Sequence, residues 1–228
     1  MKTIGIIGGL GPETTAKFYL EIISKSFETN KLSRPPILMY SVPLEYEVER
    51  ELIEESKNEE RYIPYLVDAA KRLEAGGADF IVIPCNSVHI FIKEVRGSVK
   101  IPVLSIVEET ENFLKKENIS KVGLLATSTT IKHRLYNDVF EKSDIETTLP
   151  ADSDQESLGE IIERLVMNNT NYEDKDKLFE ILGKFENVDT ILLACTDLQL
   201  AIKDYKDKKV YDTMKILADS TVSLLQEK

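Results

Sequence analysis

The chain of 228 residues contains two cysteines, Cys85 and Cys195. Each closes a short apolar run, DFIVIP over residues 79–84 and DTILLA over residues 189–194. Such runs, apolar without polar alternation, read as strands buried on both faces. In open α/β sheets, ligands gather beyond the carboxyl ends of the strands, and both sulfurs fall there. The residues after each cysteine read as a helix start, and a helix N-terminus stabilises negative charge, so either sulfur could be held as thiolate. A single buried cysteine is ordinarily a small hydrophobe. Two in equivalent positions of a repeated unit ask for chemistry. If the halves face one another, the sulfurs flank one cleft from opposite sides. One then removes a proton from a carbon, the other supplies a proton to the far face, and a stereocentre inverts. There is no Cys-x-x-Cys pair, His-rich cluster or Gly-Lys-Ser/Thr loop. The chemistry is therefore expected to need neither a metal nor an organic cofactor.

Polar groups at the same strand ends could hold a substrate. The turn GGLGP over residues 8–12 follows the first apolar run and opens a helix at Pro12, a residue suited to the first helical turn. It reads either as a tight connection or as a nest in which Gly11, Thr14 and Thr15 receive a carboxylate. Its counterpart is ATSTT over residues 126–130, with Thr127 and Thr130 as hydroxyl donors. Asn86, Ser87, Thr196 and Asp197 follow the cysteines directly, either as helix caps or as holders of amino and carboxylate groups. His89, between apolar Val88 and Ile90, is expected to organise its loop rather than to act as a base. Arg50, at the end of SVPLEYEVER (residues 41–50), could clamp a carboxylate bidentately. Four glutamates in residues 45–51 make a solvated, ion-paired helix face the competing reading, and Arg164 and Lys132 are further candidates.

These residues need a scaffold that brings both strand ends together. Strands are expected at residues 3–8, 37–42, 80–84, 103–106, 122–126, 147–149, 190–194 and 210–211. Helical patterns fall at 12–28, 59–75, 108–116, 131–141, 155–167, 175–185 and 213–226. Such alternation predicts an α/β protein with parallel sheets and right-handed crossovers. An internal repeat divides it, because Asp79/Asp189, Ile81/Ile191 and Cys85/Cys195 match at a constant offset of 110. The expected architecture is two pseudo-symmetric α/β domains, each with a mainly parallel four-stranded sheet flanked by helices, and an active site in the cleft between them. The first domain would comprise residues 1–106 plus 212–228, closed by the last helix, and the second residues 107–211. The formal net charge of −11 makes the overall field unsuited to nucleic acid or an anionic membrane. No apolar run approaches the roughly 20 residues of a membrane span, and no signal segment is evident. A cytoplasmic setting with free thiols is expected, with a small molecule as partner.

Jointly these motifs resemble the cofactor-independent aspartate/glutamate racemase family, in its aspartate racemase branch. Gly8-Gly9-Leu10-Gly11-Pro12-Glu13-Thr14-Thr15 is similar to that branch's Gly-Gly-x-Gly-Pro-x-Ala-Thr opening. Pro84-Cys85-Asn86-Ser87-Val88-His89 is similar to Pro-Cys-Asn-Thr-x-His, and Ala194-Cys195-Thr196-Asp197 to Gly-Cys-Thr-Glu. Residues 126–130 resemble Ala-Thr-x-Gly-Thr. The resemblance implies a homodimer that interconverts L- and D-aspartate, with Cys85 and Cys195 as the acid/base pair. Asn86, Ser87, Thr127, Thr130 and Thr196 would hold the α-carboxylate and amino group, and Asp197 would meet the substrate ammonium. Arg50 is the nearest match to the cation that reads the side-chain carboxylate, while a second family lysine falls near Val166. The Asp-Ser-Gly opening and Cys-Thr-His-Tyr-Pro element of the glutamate branch are absent. Alternative readings are a glutamate or broader-specificity racemase, a hydantoin racemase, a maleate isomerase, or an amino-acid-binding protein without turnover.

Overall fold

Apolar β-strands and amphipathic helices alternate along the chain, as their residue patterns require. The computed structural model describes residues 1–51, 57–167, 169–202, 205 and 207–226, without the Arg50 side chain. The first half runs β1 (Ile4–Gly8), α1 (Pro12–Thr29), β2 (Ile37–Ser41), α2 (Tyr46–Arg50), α3 (Ile63–Ala75), β3 (Phe80–Val82) and α4 (Ile92–Ser98). Helix α5 (Ile106–Lys116) leads into the second half. There follow β4 (Lys121–Ala126), α6 (Ser128–Lys132), α7 (Asn137–Phe140), β5 (Glu146–Thr148) and α8 (Asp152–Val166). The chain continues through α9 (Tyr172–Gly183), β6 (Thr190–Ala194), α10 (Leu198–Ala201), β7 (Lys209–Asp212) and α11 (Thr213–Leu224).

Two parallel sheets result, ordered β2-β1-β3 and β5-β4-β6-β7. Strands β1, β3 and β6 are buried along their whole length, as helices on both faces demand. The shared order carries the repeat into three dimensions. Ile4 lies beside Phe80 and Ile6 beside Val82, as Gly123 lies beside Ile191 and Ala126 beside Ala194. In each half, therefore, the loop after the first strand emerges next to the cysteine that follows the third. The first sheet has three strands rather than the expected four. Residues 103–106 contribute a single bridge, Val103 to Ile81, because Pro102 has no N–H to donate and Ser105 already caps α5 through its hydroxyl. The single helix expected over residues 131–141 is likewise two short ones, α6 and α7. Arg134 turns left-handed at φ 49. The Leu135 N–H closes on the Thr130 carbonyl at 3.1 Å, and the Arg134 N–H on that of Ile131 at 2.9 Å, the paired closure that ends a helix.

The halves are joined by packing. One apolar core takes Ile6, Phe18 and Val82 from the first half with Leu124, Tyr136 and Leu192 from the second. Each half has a further core of its own. Helix α11 returns to pack against α1 and α5, burying Met214, Leu217, Ala218 and Val222. Among the described residues, no helix is long and apolar enough to cross a membrane.

Asp212 makes the junction of β7 and α11. Its Oδ1 accepts the Met214 N–H at 2.9 Å, while its buried Oδ2 has no partner. Burial pushes this carboxyl up to about 6 against the pull of the Met214 N–H, Lys215 and Lys17. A carboxyl raised in the folded state favours folding below its unfolded value, near 3.8, and that contribution is lost as pH rises to about 6. Asp212→Asn keeps the capping oxygen and removes the titration. Its stability relative to the parent should rise by about 2 kcal/mol between pH 4 and pH 7, read from urea unfolding. An advantage that stays flat across that range would show that Asp212 is not the titrating group.

Candidate active site

Both cysteines line a single cavity between the halves. The first half contributes Leu10 and Gly11 after β1, Glu49 near the end of α2, Tyr62, and the segment from Cys85 to Val88. The second contributes Thr127, Ile162 and Val166 of α8, and the run Cys195, Thr196 and Asp197.

The turn after β1 can approach this closely because two glycines adopt positive φ, 82 at Gly9 and 58 at Gly11. A Cβ on Gly11 would lie 2.8 Å from Thr14 Oγ1 and 3.5 Å from Asp197 Oδ1. Thr14 and Thr15 do not supply the expected hydroxyl nest. Their hydroxyls donate to the Gly11 carbonyl at 3.0 and 2.9 Å, and Thr15 Oγ1 accepts the Gly9 N–H at 3.1 Å. Both side chains hold the turn from behind, away from the cavity wall.

After β3, His89 fixes the backbone of Cys85. With Nδ1 2.7 Å from the Cys85 carbonyl and Nε2 accepting the Ile106 N–H at 3.1 Å, the ring is the neutral Nδ1–H tautomer. Burial pushes its ionisation down to about 4. His89 is thus the loop organiser expected from the sequence. Asn86 stands at the start of the 3₁₀ turn Ser87–Phe91 but makes no side-chain cap. It is 2% exposed, accepts from the Tyr136 hydroxyl, and donates to Thr213 Oγ1 at 3.1 Å. Thr213 also donates to the Leu193 carbonyl at 3.0 Å. This buried chain ties the first half to β6, α11 and the segment before α7. A second tie joins the halves on the cavity wall, where Ser87 Oγ lies 2.9 Å from Thr127 Oγ1. Thr127 caps α6 by accepting the Thr130 N–H and donates to Thr130 Oγ1 at 3.0 Å. Thr130 consequently lies behind Thr127, off the wall.

The thiols differ from expectation in protonation. The N–H groups of Val88 and Ser87 favour a Cys85 thiolate, yet burial outweighs them and, with the charges of Asp197 and Glu49, pushes this thiol up to about 12. Burial, then the Asp197 charge, raises Cys195 well above its ordinary value, against the N–H groups of Asp197 and Leu198. The helices that follow are a 3₁₀ turn and the four-residue α10, too short to carry the dipole that the thiolate reading invoked. Cys195 Sγ donates to Asp197 Oδ2 at 3.9 Å. Asp197 is itself pushed up to about 6 by burial and then by Glu13. Glu49 is raised by burial and by the same Glu13.

Arg50 ends α2, and its side chain lies outside the described residues. The other cations that the sequence offers are engaged away from the wall: Arg164 with Asp174 at 2.7 Å and Lys132 with Glu59 at 3.2 Å. Among the described lining residues none is basic. Tyr62, Ile162 and Glu49 are wall residues that no motif announced. Whereas Tyr46 is 83% exposed, Val48, 2% exposed, is the buried residue among the glutamates of residues 45–51. It shows that this helix packs inward at that point and carries Glu49 with it.

Two like α/β halves, each presenting a cysteine to a common cavity, define a two-lobed protein with paired thiols in its cleft. The chain belongs to the Asp/Glu/Hydantoin racemase family, whose model matches residues 7–221. It is 28% identical to the broad specificity amino-acid racemase RacX of Bacillus subtilis (strain 168) over 96% of each chain. Among solved structures, an aspartate racemase homologue from Pyrococcus horikoshii OT3 is 31% identical over the whole of both chains, with a TM-score of 0.81. The aspartate racemase of Picrophilus torridus is 26% identical, over 100% of this chain and 96% of that one, with a TM-score of 0.83.

Proposed function

We propose that the protein is a cofactor-independent amino-acid racemase in which Cys85 and Cys195 move the proton at Cα. One sulfur, as thiolate, takes the Cα proton and becomes a thiol. The other, as thiol, gives its proton to the opposite face and becomes the thiolate, so the proton count is conserved and the pair is reset for the other enantiomer. The observation that carries this reading is the placement of one cysteine from each half on a single cavity wall. Ser87, Thr127 and Thr196 supply hydroxyls for the α-carboxylate, and Asp197 a carboxylate for the ammonium. The ammonium also offsets the Asp197 charge that disfavours both thiolates, so binding substrate eases formation of the base. The names of the relatives agree with amino-acid racemisation. Aspartate, which the resemblance implies, would need Arg50 to meet its second carboxylate.

Wild-type protein incubated in D2O with a panel of single-enantiomer amino acids and no added cofactor should exchange Cα hydrogen and accumulate the opposite enantiomer. NMR and chiral chromatography read the two events. Binding without exchange for every amino acid would leave a binding protein and remove the racemase.

A further inference from the structure

Two carboxylates, Glu49 and Asp197, line the cavity together with the apolar side chains Ile162 and Val166. We infer that, granted the racemase reading above, the site takes an amino acid whose side chain is an aliphatic stem ending in a cation, with Glu49 as its counter-charge and Ile162 and Val166 along the stem. Glu49 is half-buried on the cavity wall, and no described Lys, Arg or His forms an ion pair with it. The basic side chain Arg61 is engaged instead by Glu51 at 2.6 Å. Glu13 and Asp197 add to the negative field, since Glu13 acts on both Glu49 and Asp197. Among the described residues, the half-buried Glu49 carboxylate has no cation beside it on the cavity wall, and a ligand that brings one relieves the cost of its burial.

Charge matching follows group by group. A basic amino acid brings one carboxylate for the hydroxyls of Ser87, Thr127 and Thr196, an ammonium for Asp197, and a side-chain cation for Glu49. A dicarboxylic amino acid would instead set a second carboxylate against Glu49 and Asp197 on the cavity wall, a repulsion that selects against it. Ile162 and Val166 stand one helical turn apart on α8 and so share a face. That apolar face suits the methylenes of a lysine or ornithine chain, whose charged end reaches past them.

The test compares Cα exchange of lysine, norleucine and aspartate by the wild type, Glu49→Gln and Glu49→Asp. Norleucine matches the lysine stem without the charge. The wild type should favour lysine over aspartate in kcat/KM by at least about tenfold, and Glu49→Gln should lower the lysine-to-norleucine ratio by at least about tenfold. Glu49→Asp, which keeps the charge, should retain more of that ratio than Glu49→Gln. Preference of the wild type for aspartate, or a ratio unmoved by Glu49→Gln, overturns the inference. If no amino acid exchanges, calorimetry with lysine separates the two readings. Binding that weakens in Glu49→Gln keeps the cation site and removes the racemase, whereas absence of binding removes both.

Discussion

Cys85→Ala and Cys195→Ala should each lower racemisation by at least about 10³-fold, the range expected when a positioned proton donor or acceptor is removed. The more telling outcome is asymmetric. Each variant retains one sulfur on one face of Cα, and that sulfur can still remove and return a proton on its own side. Deuterium should therefore enter one enantiomer without inversion, and the two variants should label opposite enantiomers. Global loss of structure would abolish exchange from both, so retained one-sided exchange also shows that the fold survives. Both cysteines tolerate shortening on structural grounds. Cys195 sits in the second half's own core and Cys85 at the edge of the first half's, so loss of the sulfur costs the order of a small cavity, about 1 kcal/mol. Racemisation of both enantiomers by either variant at near-normal rate would reject the two-thiol mechanism.

The scaffold was legible in the sequence because burial on both faces leaves strands with no polar alternation to confuse. β1, β3, β4 and β6 stand where the apolar runs place them, and the offset that pairs Cys85 with Cys195 reappears as a common sheet order. What could not be read were features decided at a distance. Residues 103–106 have strand composition, yet the fourth place in the sheet depends on whether Pro102 leaves enough N–H groups to pair. Tyr136 and Thr213 are unremarkable in their own segments and come to support the site only because tertiary packing delivers them to Asn86. That same network removes Asn86 from the capping role its position suggested. Glu49 hides among glutamates that composition assigns to solvent. The protonation of the thiols was also invisible, since a helix start can be read locally while burial is a property of the whole fold.

Asp197→Asn should move two observables in opposite directions. Asp197 raises both thiols through its charge and accepts the Cys195 S–H. Removing the charge lowers the energy of the Cys195 thiolate, and the new amide can donate to it. Alkylation of Cys195 by iodoacetamide at pH 8, followed by mass spectrometry, should accelerate by about tenfold, as a gain of about 1.4 kcal/mol in favour of the thiolate would give. Racemisation should nevertheless fall by about 10–100-fold in kcat/KM, because a charge-assisted hydrogen bond to the substrate ammonium is lost. The pH profile distinguishes this from a packing defect. Burial and Glu13 hold the Asp197 carboxyl at about 6 in the free protein, so the ionised form that meets an ammonium is lost as pH falls through that value. Wild-type kcat/KM should decline below about pH 6 on this account, and the Asn variant should lack that limb. Slower alkylation, or an acid limb unchanged by the substitution, would remove Asp197 from the role of ammonium partner and leave burial as the main cause of the raised thiols.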